Sequence, residues 1–116
     1  MHELSIVNYV VKEVEQVAAE NALTRVHSVT LEFGEVSGII SSYLIRYWKW
    51  YTDKAEHALL KDSELKCLTL PAVTWCDGCQ KEYPTVKYGK ICPYCGSEKT
   101  WLLRGQEMNI KEIEAE

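Results

Sequence analysis

The chain has 116 residues, of which 47% are hydrophobic and 26% charged. That balance is ordinary for a globular protein, and the length excludes large enzyme scaffolds such as a (β/α)8 barrel of about 250 residues. A formal net charge of -4 argues against a general electrostatic grip on nucleic acid, which needs a basic surface.

The first predicted element is a helix after Ser5, read as its N-cap. Val7, Val10, Val11, Val14, Val17 and Ala18 recur at the spacing of one helix face, with Lys12, Glu13, Glu15, Gln16 and Glu20 on the other. Residues 1–4 are open to a further short strand. Asn21–Thr24 ends the helix, and Arg25–Phe33 reads as a strand with Val29, Leu31 and Phe33 inward and Ser28, Thr30 and Glu32 outward. Gly34-Glu35-Val36-Ser37-Gly38 is a turn. A second helix is expected over about Ser41–Leu60, its stripe being Ile40, Tyr43, Leu44, Tyr47, Trp48, Tyr51, Ala55 and Leu59. Leu65–Thr74 reads as a strand that Pro71 ends or places at an edge, and Glu107–Glu114 as a last strand. The expected fold class is α+β, a small three-stranded sheet with two helices, divided by a cysteine-bearing insert.

Residues 75–104 carry a net charge of +2, between flanks 1–74 and 105–116 at -3 each. This gives a domain of 1–74 plus 105–116 and a separate one of 75–104. No stretch approaches the roughly 18 apolar residues of a membrane span, and Met1-His2-Glu3-Leu4-Ser5 lacks the pattern of a signal peptide. The expected compartment is the cytoplasm, with no membrane partner. In that reducing setting Cys76-x-x-Cys79 and Cys92-x-x-Cys95 read as metal ligands rather than disulfides. Two such knuckles, with Gly78 easing the first and Pro93 and Gly96 shaping the second, make a closed four-sulfur site that suits structural zinc. Iron on the same ligands would make a rubredoxin-like electron carrier. The fifth cysteine, Cys67, reads as a small buried hydrophobe; His27 and His57 receive no role.

His2 stands apart by position. Its imidazole, its own amide and the Met1 amino group can chelate one ion, with the Glu3 amide next in line, a set that suits Ni²⁺ or Cu²⁺. A histidine beside an initiator methionine is more often an ordinary terminal residue, and both readings stay open on this ground alone. No nucleophile with a visible base and no phosphate loop is present, so no enzyme is expected.

Together, Met1-His2-Glu3-Leu4-Ser5, Gly34-Glu35-Val36-Ser37-Gly38, the two cysteine knuckles and the ending Gly105-Gln106-Glu107-Met108-Asn109-Ile110-Lys111-Glu112-Ile113-Glu114 resemble the HypA/HybF family of nickel metallochaperones for [NiFe]-hydrogenase maturation. The resemblance implies a nickel-binding domain with an inserted zinc-ribbon-like domain. It implies nickel on His2 with help from Met1 and Glu3, and structural zinc on Cys76, Cys79, Cys92 and Cys95. It also implies delivery to the hydrogenase large subunit with a HypB-type GTPase as partner, some relatives serving urease. Monomer and homodimer are both compatible with it. The chain departs from the family in the aromatic stretch Tyr47-Trp48-Lys49-Trp50-Tyr51-Thr52 and in having no histidine in the insert. The rival reading is a zinc-ribbon interaction module that handles no nickel.

Overall fold

A computed structural model describes residues 3–116. The helix α1 spans Glu3–Glu20, earlier than expected: Ser5 lies inside its first turn rather than at the cap, and Glu3 and Leu4 are helical rather than extended. Met1 and His2 lie outside the described residues. The inward face of α1 is Ile6, Val7, Val10, Val11, Val14 and Ala18. Val17, assigned to that face by spacing, is 37% exposed, and Ile6 takes a place in the core instead. Each fully buried valine contributes roughly 1.5–3 kcal/mol. Ala22, with φ of 52°, turns the chain after α1.

β1 (Val26–Gly34) follows, then α2 (Ser41–Thr52). The single long second helix of the sequence reading is two pieces. α2 stops at Thr52, Lys54 is extended (ψ 144°), and a separate 3₁₀ segment runs Ala55–Leu60 with a kink at His57. Neither Gly nor Pro marks this break. Burial on α2 is confined to Leu44, Trp48 and Thr52, while Tyr43, Tyr47 and Trp50 are exposed. Trp48 is anchored by its indole N–H, which donates to the hydroxyl of Ser63 at 3.0 Å and to its carbonyl at 3.3 Å. The 3₁₀ segment is tied to α1 by His57, whose Nδ1 lies 3.1 Å from a Glu15 carboxylate oxygen and whose ring stacks on Tyr51. Tyr51 in turn donates its hydroxyl to Asn8.

β2 (Glu64–Leu70) ends at Pro71, as its ring requires, and β3 (Val73–Cys76) starts after it. β4 (Lys81–Pro84), the one-turn α3 (Thr85–Tyr88), β5 (Thr100–Arg104) and β6 (Met108–Ala115) complete the chain. Two three-stranded sheets result, in the orders β2-β1-β6 and β4-β3-β5. The first contains the three strands expected from sequence. Because β1 is its central strand, Ser28 and Thr30 are buried too, contrary to the outward placement expected from alternation. Cys67 on β2 is half-buried, and burial pushes its thiol above the ordinary range.

By contacts the chain forms two compact units. Among the described residues, one comprises 3–32, 39–68 and 109–116; the other comprises 33–38 and 69–108. The turn after β1 thus packs with the second unit. There Glu35 accepts the Ala72 N–H at 2.9 Å and donates its own N–H to the Leu70 carbonyl at 2.8 Å, bracketing Pro71. No helix among the described residues is long and apolar enough to cross a membrane.

Candidate metal centre

The second sheet exists to hold two turns. β3 delivers Cys76 at its last position, fully buried, and pairs with β4 from Val73↔Pro84 to Cys76↔Lys81. The intervening knuckle closes when the Gln80 N–H donates to the Cys76 carbonyl at 2.9 Å. The second knuckle repeats the device: the Gly96 N–H donates to the Cys92 carbonyl at 2.9 Å. In both, the residue just past the second cysteine sits in the left-handed region, Gln80 at φ 59° and Gly96 at φ 73°. Glycine at 96 does what its sequence position suggested. Gly78, whose φ is not positive, serves the first knuckle by lacking a side chain, which admits Ser97: a Cβ at 78 would lie 3.0 Å from the Ser97 Cβ.

These turns bring the four sulfurs together. The Sγ atoms of Cys76, Cys79, Cys92 and Cys95 all lie within 4.8 Å of one another. Cys76 and Cys95 are 3.5 Å apart and Cys79 and Cys92 3.6 Å, so the close pairs join one knuckle to the other. A tetrahedral ion with metal–sulfur bonds of about 2.3 Å needs sulfurs about 3.8 Å apart. Donor type, number and spacing therefore fit a divalent ion such as zinc, and four ligands close the tetrahedron. The thiols are electrostatically unequal. For Cys79, burial together with donation toward its neighbours pushes the thiol up to about 12. For Cys92, burial also opposes ionisation, but the backbone N–H groups of Cys95 and Tyr94 and the thiols of Cys79 and Cys76 outweigh it and bring the group to about 7.

Behind the sulfurs lies a small core of Cys76, Tyr83 and Cys92, with Cys79 packed on it. Tyr83 is 1% exposed and donates its hydroxyl to the Gly89 carbonyl at 2.8 Å. The sequence reading did not single it out; its place two residues into β4 after the knuckle is the signal that could have found it. Cys67 lies on the other sheet and is not among the four clustered cysteines.

Of the three residues expected to hold nickel, only Glu3 is described. It is the first residue of α1, and its carboxylate lies 3.4 Å from the Ile40 N–H.

Residues 1–115 match the model of the family described as "Hydrogenase/urease nickel incorporation, metallochaperone, hypA". The chain belongs to the HypA family. A HypA hydrogenase maturation factor of Bradyrhizobium diazoefficiens is 32% identical over 114 residues, covering 98% of each chain. That of Azotobacter vinelandii is 31% identical over 116 residues and 100% of each. Among solved structures, the nickel metallochaperone HypA of Helicobacter pylori superposes with a TM-score of 0.71 at 23% identity, over 99% of this chain and 97% of that one. A second HypA solution structure gives 0.74 at 22%, over 99% and 96%. HypA proteins are metallochaperones and maturation factors rather than enzymes, in keeping with the expectation from sequence.

Proposed function

We propose that the protein serves [NiFe]-hydrogenase maturation as a nickel metallochaperone that holds its cargo at the N-terminus. The match to the HypA family over residues 1–115 carries this reading. The ligands are the His2 imidazole and amide, the Met1 amino group and the Glu3 amide. The start of α1 at Glu3 supports that set. The first N–H groups of a helix have no intrahelical acceptor, so deprotonating the Glu3 amide sacrifices no helix bond. The partial positive charge of a helix N-terminus also favours the amidate. Nitrogen donors of this kind rank Cu²⁺ above Ni²⁺, so selectivity comes from supply rather than from the ligands.

In this reading Cys76, Cys79, Cys92 and Cys95 hold zinc, which when bound cross-links the two knuckles. Residues 75–104 are then the zinc-binding domain, and 1–74 with 105–116 the nickel-binding domain. Partners are a HypB-type GTPase and the hydrogenase large subunit in the cytoplasm, with urease maturation proteins as a second route.

Calorimetric Ni²⁺ titration tests the N-terminal site, comparing wild type, His2→Ala and a variant with one residue added before Met1. Both variants lose the tight binding of wild type. Undiminished binding in both overturns the N-terminal site while leaving the zinc assignment standing.

A further inference from the structure

In the β4-β3-β5 sheet the register sets Thr74 opposite Leu102 and Cys76 opposite Thr100, so Thr74, Leu102 and Thr100 share one face. These three residues line a cleft of about 500 Å³. Two further segments complete it, Thr85 of α3 with Gly89 and Lys90 after it, and Val36 with Gln106. Both segments are held in place by hydrogen bonds. The Thr100 hydroxyl donates to the Lys90 carbonyl at 2.6 Å, and the Tyr83 hydroxyl to the Gly89 carbonyl at 2.8 Å. The Gly89 N–H donates to the Thr85 carbonyl at 2.7 Å, and the Val36 N–H to the carbonyl of Gly105, just before Gln106, at 3.0 Å. A cleft fixed in this way exists before a ligand arrives, so binding costs little in ordering.

We propose that this cleft binds a carboxylate carried on a short apolar body. The groups it leaves uncommitted are donors, since the carbonyls of Gly89 and Lys90 are already taken. Among the described residues the Lys90 ammonium has no ion-pair partner and the Gln106 side-chain amide no hydrogen bond. Thr74, 4% exposed, shares a hydroxyl–hydroxyl bond of 2.6 Å with Thr85. That bond uses one of the pair's two O–H groups, and the other has no acceptor among the described residues. No carboxylate lines the cleft among those residues. Unopposed donors around one ammonium select an anion, and a single ammonium matches a single negative charge. Val36, Trp101 and Leu102 add apolar lining that a small inorganic anion leaves uncovered. The volume lies in the range of about 300–1,000 Å³ typical of small-ligand sites.

Two sources share this chemistry, a free organic acid and the last residue of a peptide, and the probes separate them. Amide chemical shifts of the zinc-loaded full chain are followed by NMR during titration with hexanoate, with an acetylated alanyl-leucine dipeptide, with the amide of each, and with inorganic phosphate. Resonances of Gly89, Lys90, Leu102 and Gln106 shift with the acids, and the tighter of the two acids names the source. Converting that acid to its amide removes the charge and weakens binding about tenfold or more. Lys90→Gln weakens it by a similar factor, with metal content and circular dichroism unchanged. Lys87→Gln, whose side chain does not line the cleft, leaves binding as in wild type. The proposal is overturned if neither acid shifts these residues, if the amide or phosphate binds as tightly as the acid, or if Lys90→Gln binds like wild type.

Discussion

Gly105 passes so close to Gly34 that Gly34 has no room for a side chain. A Cβ on Gly34 would overlap the carbonyl carbon and oxygen of Gly105 and come within 2.5 Å of the Gln106 nitrogen. A Cβ on Gly105, itself at φ 130°, would lie 2.5 Å from the Ala72 Cβ. The approach lets the Val36 N–H reach the Gly105 carbonyl at 3.0 Å and the Gly34 N–H reach the Glu107 carbonyl at 2.8 Å. Glu107 then accepts the Gly105 N–H with both carboxylate oxygens at 3.1 Å. Backbone atoms on both sides cannot yield, so Gly34→Ala is expected to cost about 3 kcal/mol or more in urea unfolding. Gly38, in the same turn, has φ of 80° but open space around it. Gly38→Ala should therefore cost only the left-handed penalty of about 1–2 kcal/mol. Equal losses at the two positions would show that the close approach is not what Gly34 is for.

Removing one sulfur should dissect the two units. Outside the metal cluster the second unit's buried apolar cluster at that end is Tyr83 and little else. A core this small needs a cross-link. Cys92→Ala is expected to lose zinc and unfold the segment around β3–β5, while α1, α2 and their valine core stay folded. Metal analysis with hydrogen exchange reads both. A variant that keeps a full zinc equivalent would rule out four-sulfur coordination.

Features that depend on neighbours in sequence were legible, and those that depend on distant contacts were not. The valines of α1 declare their face because 3.6-residue periodicity is local. The cysteine knuckles declare a candidate metal site because the two sulfur donors in each pair are three residues apart. By contrast, the exclusion of side chains at Gly34 arises from Gly105, far along the chain. The break after Thr52 carries no Gly or Pro, and it accompanies the anchoring of Trp48 to Ser63 across the intervening 3₁₀ segment. Burial of Ser28 and Thr30 follows from the central position of β1, a property of sheet order. The placement of Arg104 opposite Val73 requires the register shift beside Leu103, which no pattern in the strand itself announces. Membership of the HypA family was legible through the first residues in combination with the cysteines, and not through composition.

Trp48→Phe separates the one core tryptophan of α2 from its exposed neighbour. Trp48 is 1% exposed, and its loss leaves the Ser63 hydroxyl and carbonyl without the indole donor. Ser63 is itself 8% exposed, so water replaces that donor poorly. Lost volume and an unpaired acceptor together should cost about 2–4 kcal/mol. Trp50 is 57% exposed under the Lys54 ammonium, 4.1 Å from its ring. Trp50→Phe should change the unfolding midpoint little, within about 0.5 kcal/mol. Comparable losses from the two substitutions would contradict the assignment of Trp48 as the anchor.

The first sheet carries a pH-dependent contact. The Lys66 ammonium donates to the Glu114 carboxylate at 2.9 Å, and Ser28 donates to the same oxygen at 2.8 Å. The lysine hydrogen bond, then the serine, then the lysine charge hold Glu114 below its ordinary 4.5. The same hydrogen bond and charge, with Glu64 and Glu112 adding to them, hold Lys66 above its ordinary 10.5. A depressed carboxylate stabilises the fold fully above its unfolded value and loses that contribution as pH falls through the folded one. The raised lysine contributes fully below 10.5 and loses its share as pH rises through its folded value. Glu114→Gln should therefore lower stability at neutral pH by a small, salt-sensitive amount, since both side chains are about half-exposed. The difference from wild type should vanish as pH drops below the folded value of Glu114, where wild type has lost the charge as well. Urea midpoints measured from neutral pH to about pH 3 check this, and a gap that widens toward acid would mean Glu114 is not stabilised as its carboxylate.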